Sequence, residues 1–423
     1  MKAKIKNLCV FSILFFAGCA GRTSSTIKSD EISNIIDLTA GFKNIQTIRL
    51  SEFVDSVTFI PLETTRESLL SDNIESYQFS SRYIFRYDQY FDWNGKYCIT
   101  IGKGGNGPFE EPEGRVYSSF FSDNHFYSKG TKFIEYDITG KPTGKVRNLY
   151  THREFNAGDI QGVEFFNVGE NFALYDFPIT LRFFNKNFET VSSRVVTKVD
   201  SLPAGYQSPL GGFNKFATYY KDHVLFYNFL NDTVFYVTDT GLYPHWIVSF
   251  DDPSRLPTQV ILQYNRLRNE AMALVRSGSS VENSEIVRLT DNKHIVRAAY
   301  ETESYLFFLM TEFVFWADRG NVSVRNKKPA DPYIIYYEKN NGKTTRVKGK
   351  GFVDDLLGMD FFYPQLGIFD EKLISIIWPF ELLDFIGECR DKGREVNPQL
   401  LALSKQVKEE DNPIIILAHL KKK

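Results

Sequence analysis

The sequence predicts an all-β fold: a six-bladed β-propeller with a helical insertion and short C-terminal helices. Three observations predict it. A unit of strand, tight turn and strand recurs at spacings of about 50 residues, the period of a propeller blade. The residue mix suits pleated, half-buried strands, with 38 Phe and 23 Tyr against 4 Met. Gly, Asn and Asp punctuate the chain about every ten residues, as many short strands require.

The chain opens on a targeting segment. Lys2, Lys4 and Lys6 are followed by an apolar run, Leu8 to Phe16, too short to span a bilayer. The run ends at Phe16-Ala17-Gly18-Cys19, which resembles the lipobox of bacterial lipoproteins. That resemblance implies a signal peptide over 1–18 and a lipid on Cys19, and multiple acyl chains give stable anchoring. Residues 19–40 begin with Ser, Thr and small polar residues and are expected to tether the lipid to the fold. No acidic run follows Cys19, which favours the periplasmic side of an outer membrane. Residues 41–423 are expected to form one propeller domain.

The blades follow in order. Residues 74–101 form the first, with a turn at Asn94-Gly95. Residues 116–146 form the second, with Asp137 and Gly140-Lys141. Residues 163–196 form the third, with Asn185. Residues 213–250 form the fourth, with Asp239 and Gly241. Residues 300–347 form the fifth, with Asn341-Gly342-Lys343. Asp or Asn, in most blades within three residues of a glycine, suits the left-handed backbone of a hairpin. Residues 352–378 supply strands of a sixth. Gln46–Leu50 or Val57–Pro61 is expected to complete it, alongside a terminal strand at Pro413–Leu420.

Two segments interrupt the strands. In 257–277, Val260, Tyr264, Leu267, Ala271 and Leu274 recur at helical spacing, Pro257 suits the first turn and Gly278 the stop. This helix is expected as an addition lying across one face or outside a blade. Residues 379–411 read as two short helices, the second capped by Asn397 before Pro398 and burying Leu400, Leu401 and Val407.

Three stretches, Ser51–Glu63, Gly105–Glu110 and Asn412–Leu417, resemble marks of the six-bladed β-propeller lipoproteins common in Bacteroidetes, relatives of NHL-type propellers. The resemblance covers nearly the whole mature chain. It implies a platform in the cell envelope, near glycan-uptake or TonB-linked systems, without a settled activity. The glycine corner departs from the usual pattern. Phe109 stands where a third glycine is expected and Glu111 where an aromatic is, and Phe adopts positive φ only at a cost.

The formal charge is −2, and loss of the three signal lysines makes the mature chain more acidic. That gives no footprint for nucleic acid. Histidines 125, 152, 223, 245, 294 and 419 have no helical metal-site spacing, and no zinc-protease, paired-cysteine, nucleophile-elbow or P-loop motif occurs. Cys98 and Cys389 are expected as buried small hydrophobes rather than a disulfide.

Candidate site residues are few. Glu110 is expected to bond amides of the glycine corner while Glu111 and Glu113 face water; Ca²⁺ ligation is the alternative. Asp88, Asp92 and Asn94 imitate part of a calcium loop but fit a strand end and turn. Asp354-Asp355 reads as a capped turn. Trp93, Tyr219, Tyr220, Trp246 and Trp316 offer faces for sugar rings, against a competing role in blade packing. Arg266 and Arg268, with Asn265 and Arg276, lie on the outer side of the inserted helix and rank first as partner contacts. No cofactor is expected, with Ca²⁺ the one alternative. The expected function is binding, at the membrane through the lipid, of an envelope protein or a glycan-derived ligand. The rival is a lyase or hydrolase built from carboxylates and histidines at the axial mouth.

Overall fold

Six sheets stand in a ring, and one turn chemistry shapes several of them. The computed structural model describes residues 34–70, 77–111, 116, 118–148, 164–176, 180–197, 215–239, 241–251, 253–319, 322–325 and 331–422. Asp92 Oδ1 accepts from the amides of Asn94 and Lys96 at 2.8 and 3.0 Å. Asp137 does the same for Thr139 and Lys141, and Asn185 for Asn187 and Glu189. Each side chain adds to the backbone turn bond its own residue accepts, as from Gly95 N to Asp92 O at 2.9 Å, and sets the hairpin between the third and fourth strands. Gly95 and Gly140 take the left-handed position with φ of 82° and 78°. The third blade puts Phe188 there, at φ 61°, and its ring is buried between blades.

The first four blades run through the sheets Tyr77–Thr100, Ser118–Asn148, Phe165–Val195 and Ala217–Ser249, each antiparallel and in chain order. The fifth starts earlier than the sequence suggests, at His294, and runs to Val347. A hairpin of Trp316–Arg319 and Val322–Arg325 stands between its second and third strands. The first strand of each blade is innermost. Phenylalanine and tyrosine fill the seams: Phe120 and Phe133 of blade 2 meet Phe165 of blade 3 at 4.8 and 4.7 Å between ring centroids. An alternating aromatic strand buries one face against its neighbour, so closing the ring is what covers every blade.

Closure joins the two ends of the chain. Val54–Pro61 forms the outer strand of blade 6 and pairs antiparallel with Ile414–Leu420, with Val57 opposite Ala418 and Phe59 opposite Ile416. The inner strands are Gly367–Phe369 and Lys372–Ile377. Asn412 locks the joint. Its Oδ1 accepts from the amide of Leu70, and its Nδ2 donates to the carbonyls of Glu63 and Ser68, all at 2.8 Å.

The expected tether ends before residue 40. Ile35–Asp37 pairs in parallel with the outer strand of blade 4, a helix follows at Leu38–Lys43, and Ile45–Gln46 pairs in parallel with the outer strand of blade 5. Asp37 caps the helix by accepting from Ala40 N at 3.0 Å. Gln46–Leu50 is therefore not the closing strand; its first residue belongs to this strap around the rim. Gly41 permits the close approach, because a Cβ there would lie 2.9 Å from Ile335 and 3.0 Å from Thr344.

The inserted helix is two: Thr258–Leu262 and Tyr264–Arg276 meet at Gln263, and Glu285–Thr290 adds a third. They are not a superficial addition. Val260, Ile261, Tyr264, Leu267, Ala271, Met272 and Ile286 are buried in one core cluster with Phe250, Phe313 and Phe315. Leu274 is only half-buried. The C-terminal helices form at Pro379–Asp391 and Pro398–Ser404, and Asn397 caps the second through Gln399 N at 2.8 Å. Leu403, rather than Leu401 or Val407, joins Leu400 in the buried stripe. Cys389 is buried and Cys98 exposed, and both are free thiols.

Candidate functional site

The glycine corner is a structural latch. Glu110 Oε2 accepts from Gly107 N at 2.9 Å. This bond, with Lys103 and Lys132 nearby, holds its carboxyl below the usual range. Lys132 Nζ donates to the carbonyls of Gly107, Pro108 and Glu110 at 2.8, 3.2 and 2.7 Å. Glu111 does not face water. It is buried and accepts from the amide and hydroxyl of Thr131 at 2.8 and 2.7 Å. It fits there because Gly130 lies beneath it, where a Cβ would come within 2.4 Å of the carboxyl. Phe109 packs against the core without positive φ, so the substitution of glycine carries no strain. Glu113 lies outside the described residues.

The other expected residues are also placed. Asp92 sits in its turn, while Asp88 lies at the opposite end of the strand Gln89–Asp92, so they do not converge. Asp354 Oδ1 accepts from Leu356 N and Leu357 N, and Asp355 from Ser51. Trp93 stacks between Phe79 and Phe369, 6.0 Å from each, and donates to Ser80 O at 3.0 Å. Trp246 is buried against Tyr337. Arg266 pairs within its own insertion, with Glu285 at 3.1 Å and Gln263 at 2.8 Å. Arg268 is half-buried on the same helix. Cys19 and the Trp316 side chain lie outside the description. No group of three or more His, Cys, Asp or Glu placed to hold a metal ion occurs among the described residues.

Two constellations emerge that the sequence did not single out. The first is a narrow cavity where the innermost strands of blades 1, 4, 5 and 6 approach. It is lined by Gln78, Phe79, Lys215, Thr218, Tyr219, Tyr300, Ile368 and Phe369 and leaves room for about one water molecule. Lys215 enters just before the first strand of blade 4, its amide bonded to Arg297 O at 2.9 Å. Glu164 sits just before blade 3 and accepts from the amides of Phe216 and Ala217 at 2.7 and 2.9 Å. Burial pushes the Lys215 pKa down, countered in part by Glu164. Burial pushes the Glu164 pKa up, countered by Lys215 and the two amides. Each group is thus driven toward its neutral form. Trp93 stacks behind two of the cavity walls, Phe79 and Phe369. The available signal was a lone lysine in the stretch Phe213-Asn-Lys-Phe216, and no local pattern says that it lines a cavity shared by four blades.

The second constellation bridges blades 4 and 5. His245 Nε2 meets the Glu301 carboxylate at 2.9 Å, and Lys339 Nζ meets its other oxygen at 2.6 Å. His245 stacks on Tyr236 with 3.7 Å between centroids. Burial alone would raise the Glu301 pKa, but the bonds from His245 and Lys339 hold it below the ordinary value. Tyr220 lies between two cations, 4.9 Å from Lys339 Nζ and 5.1 Å from Lys221 Nζ.

Fold and site together define a six-bladed propeller whose conspicuous carboxylates serve as interblade fasteners. The chain belongs to the family described as a domain of unknown function (DUF4934), whose model matches residues 33–419. A Bacteroides fragilis protein described as exported shares the fold, with a TM-score of 0.60 and 18% identity over 92% of this chain and 100% of that one. The WD40 domain of Neurospora crassa Pan2 aligns with a TM-score of 0.32 and 9% identity, covering 64% of each chain. BamB of Moraxella catarrhalis aligns at 0.28 and 11%, covering 69% of this chain and 66% of its own. These two likenesses carry no argument. No curated protein matches the chain.

Proposed function

We propose that this protein is a lipid-anchored binding module of a bacterial cell envelope, held at Cys19 and facing the periplasm from the outer membrane. The reading of its address rests on the basic and apolar N-terminus ending in Ala17-Gly18-Cys19, and the likeness to a protein described as exported supports it. Among the described residues no helix is long and apolar enough to cross a membrane.

The observation that carries the binding reading is the axial cavity. Its described lining is aromatic, aliphatic, amide and hydroxyl groups with one lysine and neither carboxylate nor histidine, and the acid coupled to that lysine, Glu164, is tied to two backbone amides. An axial catalyst of the lyase or hydrolase kind calls for acid and base groups converging from several blades. A rigid aromatic wall with few polar groups is the chemistry of recognition. The ligand class that fits is a glycan-derived molecule, with an envelope protein as the alternative occupant of the outer surface.

Two experiments test the reading. Cys19→Ala should release the protein from membranes, and full retention would overturn the lipid anchor. Affinity purification from native envelope, followed by mass spectrometry, should return a stoichiometric protein or a bound glycan. A bare monomer without either would overturn the module.

A further inference from the structure

We infer that the outer strand of blade 3, Thr190–Val195, is a self-pairing edge that joins the same strand of a second copy, antiparallel, and makes the propeller a twofold dimer. The inference goes beyond the binding reading and does not rest on it.

The outer strand of a blade carries a row of backbone N–H and C=O groups on its open side, a template for another strand. This chain covers or blunts that row on the other five blades. Ile35–Asp37 pairs with the outer strand of blade 4, and Ile45–Gln46 with that of blade 5. In blade 1 the strand is only Tyr97–Thr100, and the Glu63 carboxylate accepts from Tyr97 N at 2.9 Å. In blade 2 it carries Pro142, Lys145 and Arg147. In blade 6 it bulges between Val54 and Ser56, with the exposed Asp55 at the bulge. Short strands, proline, charge and bulges all discourage edge pairing.

Blade 3 is different. Among the described residues no strand lies outside Thr190–Val195. Val191 and Val195 are 50% and 67% exposed. The one charge does not guard the edge. Arg194 leans back along its own strand, donating to Ser193 O at 3.0 Å. Its Nε lies 3.7 Å from where a Cβ on Gly241 of blade 4 would be.

Blade 4 shows that this backbone takes an added strand despite its bulge. There Val234 faces Trp246 and Phe235 faces Pro244, which leaves His245 as the bulged residue. In blade 3 Phe183 faces Ser192 and Phe184 faces Thr190, which leaves Val191. Ser193–Val195 therefore stands where Ile247–Ser249 stands in blade 4, and that is the stretch Ile35–Asp37 covers.

The occupant follows from the strand's own sequence. A twofold axis reverses the strand, so a second copy pairs antiparallel. With the whole strand overlapped, Thr190 faces Val195, Val191 faces Arg194 and Ser192 faces Ser193 of the second copy. β-branched residues meet at both ends and no like charges oppose. The edge is matched to itself.

The test is sedimentation of the full chain in detergent, with micelles in excess so that two chains rarely share one. The parent should sediment as a dimer that dissociates on dilution. Val191→Lys combined with Val195→Lys should raise the dissociation constant by about tenfold or more and leave the circular dichroism unchanged, because both positions face solvent. Cross-linking in a Cys98→Ser background reads the register. Thr190→Cys mixed with Val195→Cys should form a disulfide dimer, and neither alone should. Like positions lie about 17 Å apart in this register, beyond the reach of a disulfide. A parent that stays monomeric on concentration, a dimer undisturbed by the two lysines, or cross-links between like positions would overturn the pairing. So would a different envelope protein that the parent holds and the two lysines release, which would assign the edge to that protein's strand.

Discussion

His245 on the outer strand of blade 4 donates its Nε2 hydrogen to the Glu301 carboxylate on the inner strand of blade 5, 2.9 Å away. The Glu301 side chain is only 2% exposed, so its charge is tolerable because His245 and Lys339 both reach it. Removing Glu301 leaves His245 and Lys339, both half-buried, without their shared carboxylate. Glu301→Gln should destabilise the protein by roughly 3 kcal/mol at neutral pH, measured by urea unfolding.

The pH dependence follows from the same pair. The folded pKa of Glu301 lies below its ordinary value of 4.5. Its contribution is fully present above the unfolded pKa and is lost as pH falls through the folded one. The gap between the parent and Glu301→Gln should therefore be constant above about pH 6 and narrow progressively below about pH 4. A gap that widens on acidification would contradict the assignment.

Asn412 seals the ring by satisfying one buried amide and two carbonyls. Asn412→Leu leaves those groups unpaired inside the joint, at a cost of about 1–3 kcal/mol for an unsatisfied buried group. Hydrogen exchange should show faster opening at Leu70 and along Ile414–Leu420 than in blades 2 and 3.

Phe188 sets strain against packing. Its positive φ costs about 1–2 kcal/mol, which Phe188→Gly would relieve. The ring, however, stacks 5.4 Å from Phe133 and lies 5.9 Å from Phe172. Losing a buried phenyl costs about 3–5 kcal/mol. The glycine variant should be less stable than the parent in denaturant unfolding; an increase in stability would show that strain dominates.

Gly41 lets the rim helix sit on blade 5. Gly41→Val would drive methyl groups into Ile335 and Thr344, and overpacking of this kind costs about 1–3 kcal/mol. Limited proteolysis should then cut at 38–46 before the rest of the ring is attacked.

Much of the fold was legible in the residues. The Asx turns at Asp92 and Asp137 are local, so the chemistry of a few neighbours dictates them. The helices over 379–404 were readable for the same reason, through proline, a cap and an apolar period. The closing strand was half legible: two candidates near the N-terminus were apparent, but choosing Val54–Pro61 depends on a partner more than 350 positions away. The strap was missed because two or three residues of strand carry too little periodicity to read.

The candidate site divides along the same line. The sequence by itself determined the turn chemistry, the aromatic strands of the blades and the bond of Glu110 to the glycine corner, because each depends on contacts a few residues apart. Only the tertiary structure decided that Glu111 is buried over Gly130, that His245 meets Glu301 across 56 positions, and that Lys215 stands in an aromatic cavity. Those relations are set by how neighbouring blades pack around an axis. Burial, and with it the charge state of each group, belongs to that packing and to no single stretch of chain.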